Sequence, residues 1–237
     1  IDSRDGSIVG AEALIRWEKP GIGIISPSTF IPMAEETGTI LSIGEWVICQ
    51  ASYQLVEWIN DGYDPIKISI NLSSKQFHQT DIVDKIQKIL ELTKVPPEFL
   101  MIEITESTTM YNIEQTIQIL NKIQKLGIRI AIDDFGTGYS SLSYLKRLPI
   151  QKLKIDRSFI KDIPKNQDDI AISNTIIQLS RNLHLSVIAE GVETQEQLSL
   201  LKEMGCYEIQ GYIYSPPINI KEFQKKYLVR KENFEKP

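Results

Sequence analysis

The chain is poor in histidine and cysteine, with two of each in 237 residues. His78 and His184 lie far apart, and Cys49 and Cys206 form no CxxC or Cys/His pattern. That excludes a zinc site built on imidazole or thiolate. The thiols read as reduced groups of a cytoplasmic protein. Positive charge is also short: 26 Lys and Arg face 31 Asp and Glu, a formal −5. This balance argues against a general DNA or anionic-membrane surface. No apolar run is long enough to span a bilayer, and nothing at the start has the form of a signal peptide. No low-complexity stretch or long linker divides the chain, so residues 1–237 are expected to form a single domain, with 219–237 as a terminal helix and charged tail.

Short apolar runs alternate with amphipathic stretches, the pattern of repeated βα units. Strands are expected over residues 8–17, 66–72, 100–105, 128–133, 152–155, 185–190 and 206–213. Helix ends are marked as well. Asn112 precedes "IEQTIQILNKIQKLG", with Gln115 three residues on and Gly127 as the stop. Thr194 opens "QEQLSLLKEMG" as a capping box with Gln197, and Gly205 ends it. Residues 166–183 read as a further amphipathic helix. A closed parallel barrel takes eight strands. Seven are visible, and the opening "IDSRDGS" reads as a loop, so another strand is expected upstream.

Alternate strand residues point to opposite faces. Ile68 and Ile70, Ile102 and Ile104, Ile130 and Ile132, and Leu153 and Ile155 form aliphatic faces suited to packing under helices. The other face carries Glu12 with Arg16, Asn71, Glu103, Asp133, Lys154, Glu190 and Gln210, from seven different strands. In a barrel that face lines the lumen, which branched apolar side chains usually fill.

Glu12, Glu103, Asp133, Asp134 and Glu190 would therefore crowd one mouth. Two unit charges about 4 Å apart repel by roughly 4 kcal/mol at an effective dielectric near 20. Lys154 and Arg16 offset only part of this. A divalent cation, or two, is the economical remedy, and oxygen donors without His or Cys select Mg²⁺ or Mn²⁺, with Ca²⁺ as a non-productive occupant. Adjacent Asp133 and Asp134 reach one site only if the chain turns just after Asp133, a turn that Gly136 and Gly138 permit. Taken alone, "DDFGTG" also suits a plain turn with a helix-capping Asp. The embedded "DFG" lacks the glycine-rich loop, VAIK-type lysine and HRD segment of a kinase.

Together "EAL" at 12–14, "NLS" at 71–73, "EITES" at 103–107, "DDFGTGYSS", "KID" at 154–156, "EGVET" at 190–194 and "QGY" at 210–212 resemble the EAL-domain phosphodiesterases, which hydrolyse cyclic di-GMP. The resemblance runs from Ile8 to about Pro217. It implies an α/β fold, a modified (β/α)8 TIM-like barrel with one antiparallel strand, the first, which is missing from this chain.

Carried over by the same resemblance, Glu12, Asn71, Glu103 and Asp133 would bind one metal, and Asp133 and Asp134 a second. Glu190 would act beside the attacking water, as base or ligand, and Lys154 would orient that water or stabilise the transition state. Arg16 would pair with a substrate phosphate, its structural alternative being a salt bridge across the mouth, and Gln210 would line the site. Glu106 would brace the loop after Asp134, with Glu193 and Asp156 in support. Lys19 and Pro216 stand where the family often has His and a basic residue. Expected partners are cyclic di-GMP, a second copy of the chain, and fused sensory or cyclase-like domains, which can anchor the full protein to a membrane. A catalytically silent cyclic di-GMP receptor is the alternative.

Overall fold

Seven short strands pair side by side, all in one direction. The structure, a computed structural model, describes residues 1–110, 112–138 and 142–230. The strands are β1 (Gly10–Ala13), β4 (Lys67–Asn71), β5 (Leu100–Thr105), β6 (Arg129–Phe135), β7 (Lys152–Ile155), β8 (Ser186–Ala189) and β9 (Glu208–Ile209), adjacent in that order. Parallel neighbours need long crossovers. Helices supply them: α1 (Pro27–Thr37) and α2 (Ile40–Asn60), α3 (Ser74–Phe77) and α4 (Ile82–Thr93), α5 (Glu106–Met110) and α6 (Ile113–Lys125), α7 (Leu142–Leu145), α8 (Gln167–Asn182), and α9 (Gln195–Met204). The last helix, α10, covers Ile220–Tyr227; the charged tail from 231 onward lies outside the described residues.

The sequence signals act as expected where they are local. Asn112 Oδ1 accepts the Gln115 N–H at the start of α6. Thr194 and Gln197 form the reciprocal capping box of α9, and left-handed Gly205 ends it. The aliphatic strand faces, including Ile70, Ile102, Ile130 and Leu153, are buried beneath the helices in one continuous core. Each fully buried aliphatic contributes about 1.5–3 kcal/mol. Both cysteines are free. Burial pushes the Cys206 thiol up to about 12, so it stays protonated and unreactive.

Three local expectations change. The strand expected over 8–17 stops at Ala13, and Leu14 to Arg16 lead instead into an antiparallel hairpin, β2 (Trp17–Lys19) and β3 (Gly23–Ile25). The apolar run masks this break, whereas Pro20 and left-handed Gly21 mark the hairpin turn. Arg16 therefore does not share a strand face with Glu12. The strand expected over 206–213 is only Glu208–Ile209. Finally, the opening segment is turn and coil as expected from residue 3 on, but its first two residues are pinned to the sheet. Asp2 bridges Glu208 antiparallel, and Ile1 and Ile209 exchange backbone hydrogen bonds of 3.0 and 2.9 Å. An isolated antiparallel bridge thus lies along β9.

Candidate active site

Lys154 is the hub of the lumen. It is 1% exposed, and its ammonium lies 2.5 Å from Glu103 Oε2, 2.6 Å from Glu190 Oε1, 3.1 Å from Asp133 Oδ1 and 3.7 Å from Glu12 Oε2. Strand alternation puts each of these groups on the inner face, and parallel register sets their heights: Asn71 pairs with Glu103, and Thr105 with Asp133. Glu190 and Gln210 sit just beyond the last residues of β8 and β9. The Glu12 carboxylate accepts from Asn71 Nδ2 at 2.5 Å and from Gln210 Nε2 at 2.7 Å. The second bond joins opposite edges of the sheet, because β1 and β9 are its first and last strands. The sheet is curled enough for its ends to meet at this mouth.

Asp133 and Asp134 reach the same region by a backbone device. Asp134 is left-handed, φ 52°, and the β6–β7 register shifts between Ile132 and Phe135. This conformation costs an ordinary residue roughly 1–2 kcal/mol, but Asp tolerates it better than most. Asp133 Oδ1 accepts the Asp134 N–H at 3.0 Å. Glu106 Oε2 then accepts from Gly136 N at 2.9 Å and Gly138 N at 3.2 Å, and a Cβ at 138 would meet the Glu106 carboxyl at 2.9 Å. The rest of that loop, 139–141, lies outside the described residues. Asp156 adjoins Asp134 and caps the following turn by accepting from Ser158 N.

Two expected residues stand apart from the hub. Arg16 is exposed at the mouth, and its Nη1 donates to Ile15 O; among the described residues it has no carboxylate partner, which removes the salt-bridge reading. Glu193 is exposed on the cavity wall and pairs with Arg157 at 2.6 Å. Nothing in the sequence marked Arg157 beyond its place three residues after Lys154.

One ammonium cannot neutralise four carboxylates. Burial, opposed by Lys154 and assisted by the other carboxylates, pushes Glu190 up to about 8 and Glu103 to about 7. Burial, then Asp133 and Asp156, pushes Asp134 up to about 6. The Lys154 amine is raised as well: burial opposes its charge, but the surrounding carboxylates outweigh burial and lift its pKa well above the ordinary lysine value.

A carboxyl whose folded pKa exceeds its unfolded value stabilises below the unfolded pKa, and that contribution disappears as pH rises through the folded value. The loss here runs from about pH 4 to about pH 8. Lys154 contributes evenly across this window. Without divalent ions, the thermal midpoint should fall by about 3 °C or more between pH 5.5 and 8.5, since ~1 kcal/mol shifts a chain of this size by about 2–4 °C. A midpoint that rises over this interval in differential scanning fluorimetry contradicts the buried-carboxylate account.

The donor chemistry fits a hard divalent cation. Every candidate ligand is an oxygen, the charge excess is negative, and buried Glu190 Oε1 accepts no hydrogen bond despite its nearness to Lys154. Among the described residues no three His, Cys, Asp or Glu side chains already form a metal cage; the carboxylates are drawn onto Lys154 instead. The lumen opens into a cavity of about 850 Å³ lined by Glu12, Arg16, Glu103, Lys154, Glu190 and Gln210, ample for a dinucleotide.

A family model described as "EAL domain" matches residues 1–217. The bifunctional diguanylate cyclase/cyclic di-GMP phosphodiesterase MucR of Pseudomonas aeruginosa is 44% identical over 214 residues, covering 90% of this chain and 31% of its own length. The cyclic di-GMP phosphodiesterase NbdA of the same organism is 42% identical over 226 residues, 94% of this chain and 29% of its own length. This chain therefore spans about a third of those relatives. The solved structure of the PaMucR phosphodiesterase in complex with c-di-GMP superposes with a TM-score of 0.91 at 43% identity, covering 94% of this chain and 90% of that one.

Proposed function

The chain belongs to the EAL domain family, and from that premise we propose that it hydrolyses cyclic di-GMP to linear 5′-pGpG with divalent cations as cofactors. The observation carrying this reading is the convergence of four carboxylates on buried Lys154, beside a cavity large enough for the substrate. A general anion-binding pocket would gather cations.

Glu12, Asn71, Glu103 and Asp133 would hold one Mg²⁺ or Mn²⁺, and Asp133 and Asp134 a second, with Ca²⁺ as a non-productive occupant. When bound, these ions offset the phosphodiester charge and make a water more acidic. The chain's own groups do the rest. Arg16 and Gln210 orient the phosphodiester at the mouth. Glu190, in its carboxylate form, takes the proton of the attacking water. The water oxygen attacks phosphorus in line, the bond to the ribose 3′ oxygen breaks, and that oxygen takes a proton from solvent and leaves as a hydroxyl. Lys154 presents a fixed positive charge to the developing negative charge. Glu106 holds the start of the loop carrying Asp134, and Asp156 flanks it.

Both curated relatives are about three times as long as this chain. It is accordingly read as one phosphodiesterase domain of a longer signalling protein, joined to sensory or cyclase-like parts, with the barrel in the cytoplasm and able to self-associate. No helix among the described residues is long and apolar enough to cross a membrane.

Incubation with cyclic di-GMP and Mg²⁺ or Mn²⁺ should yield pGpG by ion-pair chromatography, and a chelator should stop it. Tight calorimetric binding of the intact nucleotide with no product under either ion would instead identify a receptor.

A further inference from the structure

We infer that Arg157 is a positioning residue for Glu190, acting through Gly191 and Glu193 at the barrel mouth. The inference rests on the reading of Glu190 as the group that accepts the water's proton. Glu190 is the first residue beyond β8, and its backbone N–H donates to Ile155 O at 3.2 Å. Gly191 follows in the left-handed region, φ 68°, and packs directly on the Arg157 side chain. A Cβ at position 191 would overlap Arg157 Cγ and stand 2.8 Å from its Cβ and Cδ. Two residues further on, Glu193 Oε1 receives Arg157 Nη2 at 2.6 Å. Arg157 therefore seats its aliphatic stem against Gly191 and ties its guanidinium to Glu193.

Both cations acting on this segment come from the end of β7. Lys154 holds the Glu190 carboxylate, and Arg157, three residues later, holds the backbone that follows it. On the far side, Val192 N donates to Gln210 O at 3.2 Å, and Glu193 N donates to Gln197 Oε1 at 2.8 Å. Arg157 is the side-chain clamp on the near side. Its ion pair with Glu193 is too exposed, at 58% and 43%, to matter much for stability. Its consequence lies in geometry, because a misplacement of about 1 Å at a catalytic group lowers a rate by up to ~100-fold.

The test compares the chain with its Arg157→Ala, Arg157→Lys and Gly191→Ala variants. The readouts are kcat and KM for cyclic di-GMP, and the hydrogen exchange of the Glu190 amide in the ion-free, substrate-free protein. Arg157→Ala should lower kcat about tenfold with KM within about twofold. The Glu190 amide should exchange about tenfold faster as its loop opens more often. Arg157→Lys, which keeps the stem and one charge, should recover part of both. Gly191→Ala should reproduce the kcat loss with Arg157 still present.

A raised KM at constant kcat would make Arg157 a substrate contact and overturn the inference, as would unchanged kcat and unchanged exchange. If the parent chain shows no turnover at all, the phosphodiesterase reading falls separately. The exchange measurement then decides alone, and an unaltered Glu190 amide rejects the clamp.

Discussion

Lys154→Met is expected to destabilise the ion-free protein by about 3–5 kcal/mol, the usual cost of breaking a buried charge arrangement by removing one partner. The ammonium lies within 3.7 Å of four carboxylates, and among the described residues it is the only cation so placed. Methionine fills a similar volume, so packing changes little and the effect isolates the charge. At an effective dielectric near 20, each carboxylate pair about 4 Å apart repels by roughly 4 kcal/mol. The variant should take up protons to relieve that repulsion, and its deficit should therefore be larger at pH 8 than at pH 5.5.

The thermal midpoint at pH 8 should drop by roughly 10 °C. Mg²⁺ or Mn²⁺ should restore part of it, because ion binding to the folded state adds about 2.7 kcal/mol at 100 times the dissociation constant. Calorimetric scans with and without ions check this. A variant melting within 2 °C of the parent at pH 8, and indifferent to ions, would refute both the electrostatic account of the lumen and the metal reading built on it.

Glu190→Gln should have the opposite sign on stability and the largest effect on activity. The substitution is isosteric and removes a carboxyl that burial pushes up to about 8. The ion-free protein should consequently melt a few degrees higher at pH 8 than the parent. Turnover should fall about 10³-fold, within the range expected for losing a positioned proton acceptor, with KM changed only a few-fold. A gain in stability coupled to a loss of function is the usual mark of a site held under electrostatic strain. Retention of more than a tenth of the parent turnover assigns the proton transfer elsewhere. Glu12→Ala, which removes the carboxylate shared by Asn71 and Gln210, should also nearly abolish turnover with the fold intact.

The inward set was legible because strand geometry makes it so. Period-two alternation assigns Asn71, Glu103, Asp133 and Lys154 to one face with no knowledge of the fold, and the structure gathers those residues. Features depending on where a strand stops were less legible. Arg16 looked like a strand neighbour of Glu12 because the apolar pattern continues past Ala13, but the chain leaves the sheet there. Ile1 and Asp2 looked like loop because two residues carry no periodicity, and only pairing with β9 gives them a strand's role. The turn at Asp133–Asp134 was foreseen from the glycines downstream, while the left-handed residue that makes it is Asp134 itself.

By itself, then, the order of residues determined which strand side chains share the inner face, which helices are capped, and that oxygen donors and a lysine are brought together there. Those properties follow from local geometry and chemistry, which act over a few residues. The tertiary structure alone decided that Glu12 meets Gln210 across 198 positions, that four acids share one ammonium, and that Arg157 reaches Gly191. Such contacts depend on twist accumulated over all seven strands, and no short window of sequence contains that sum.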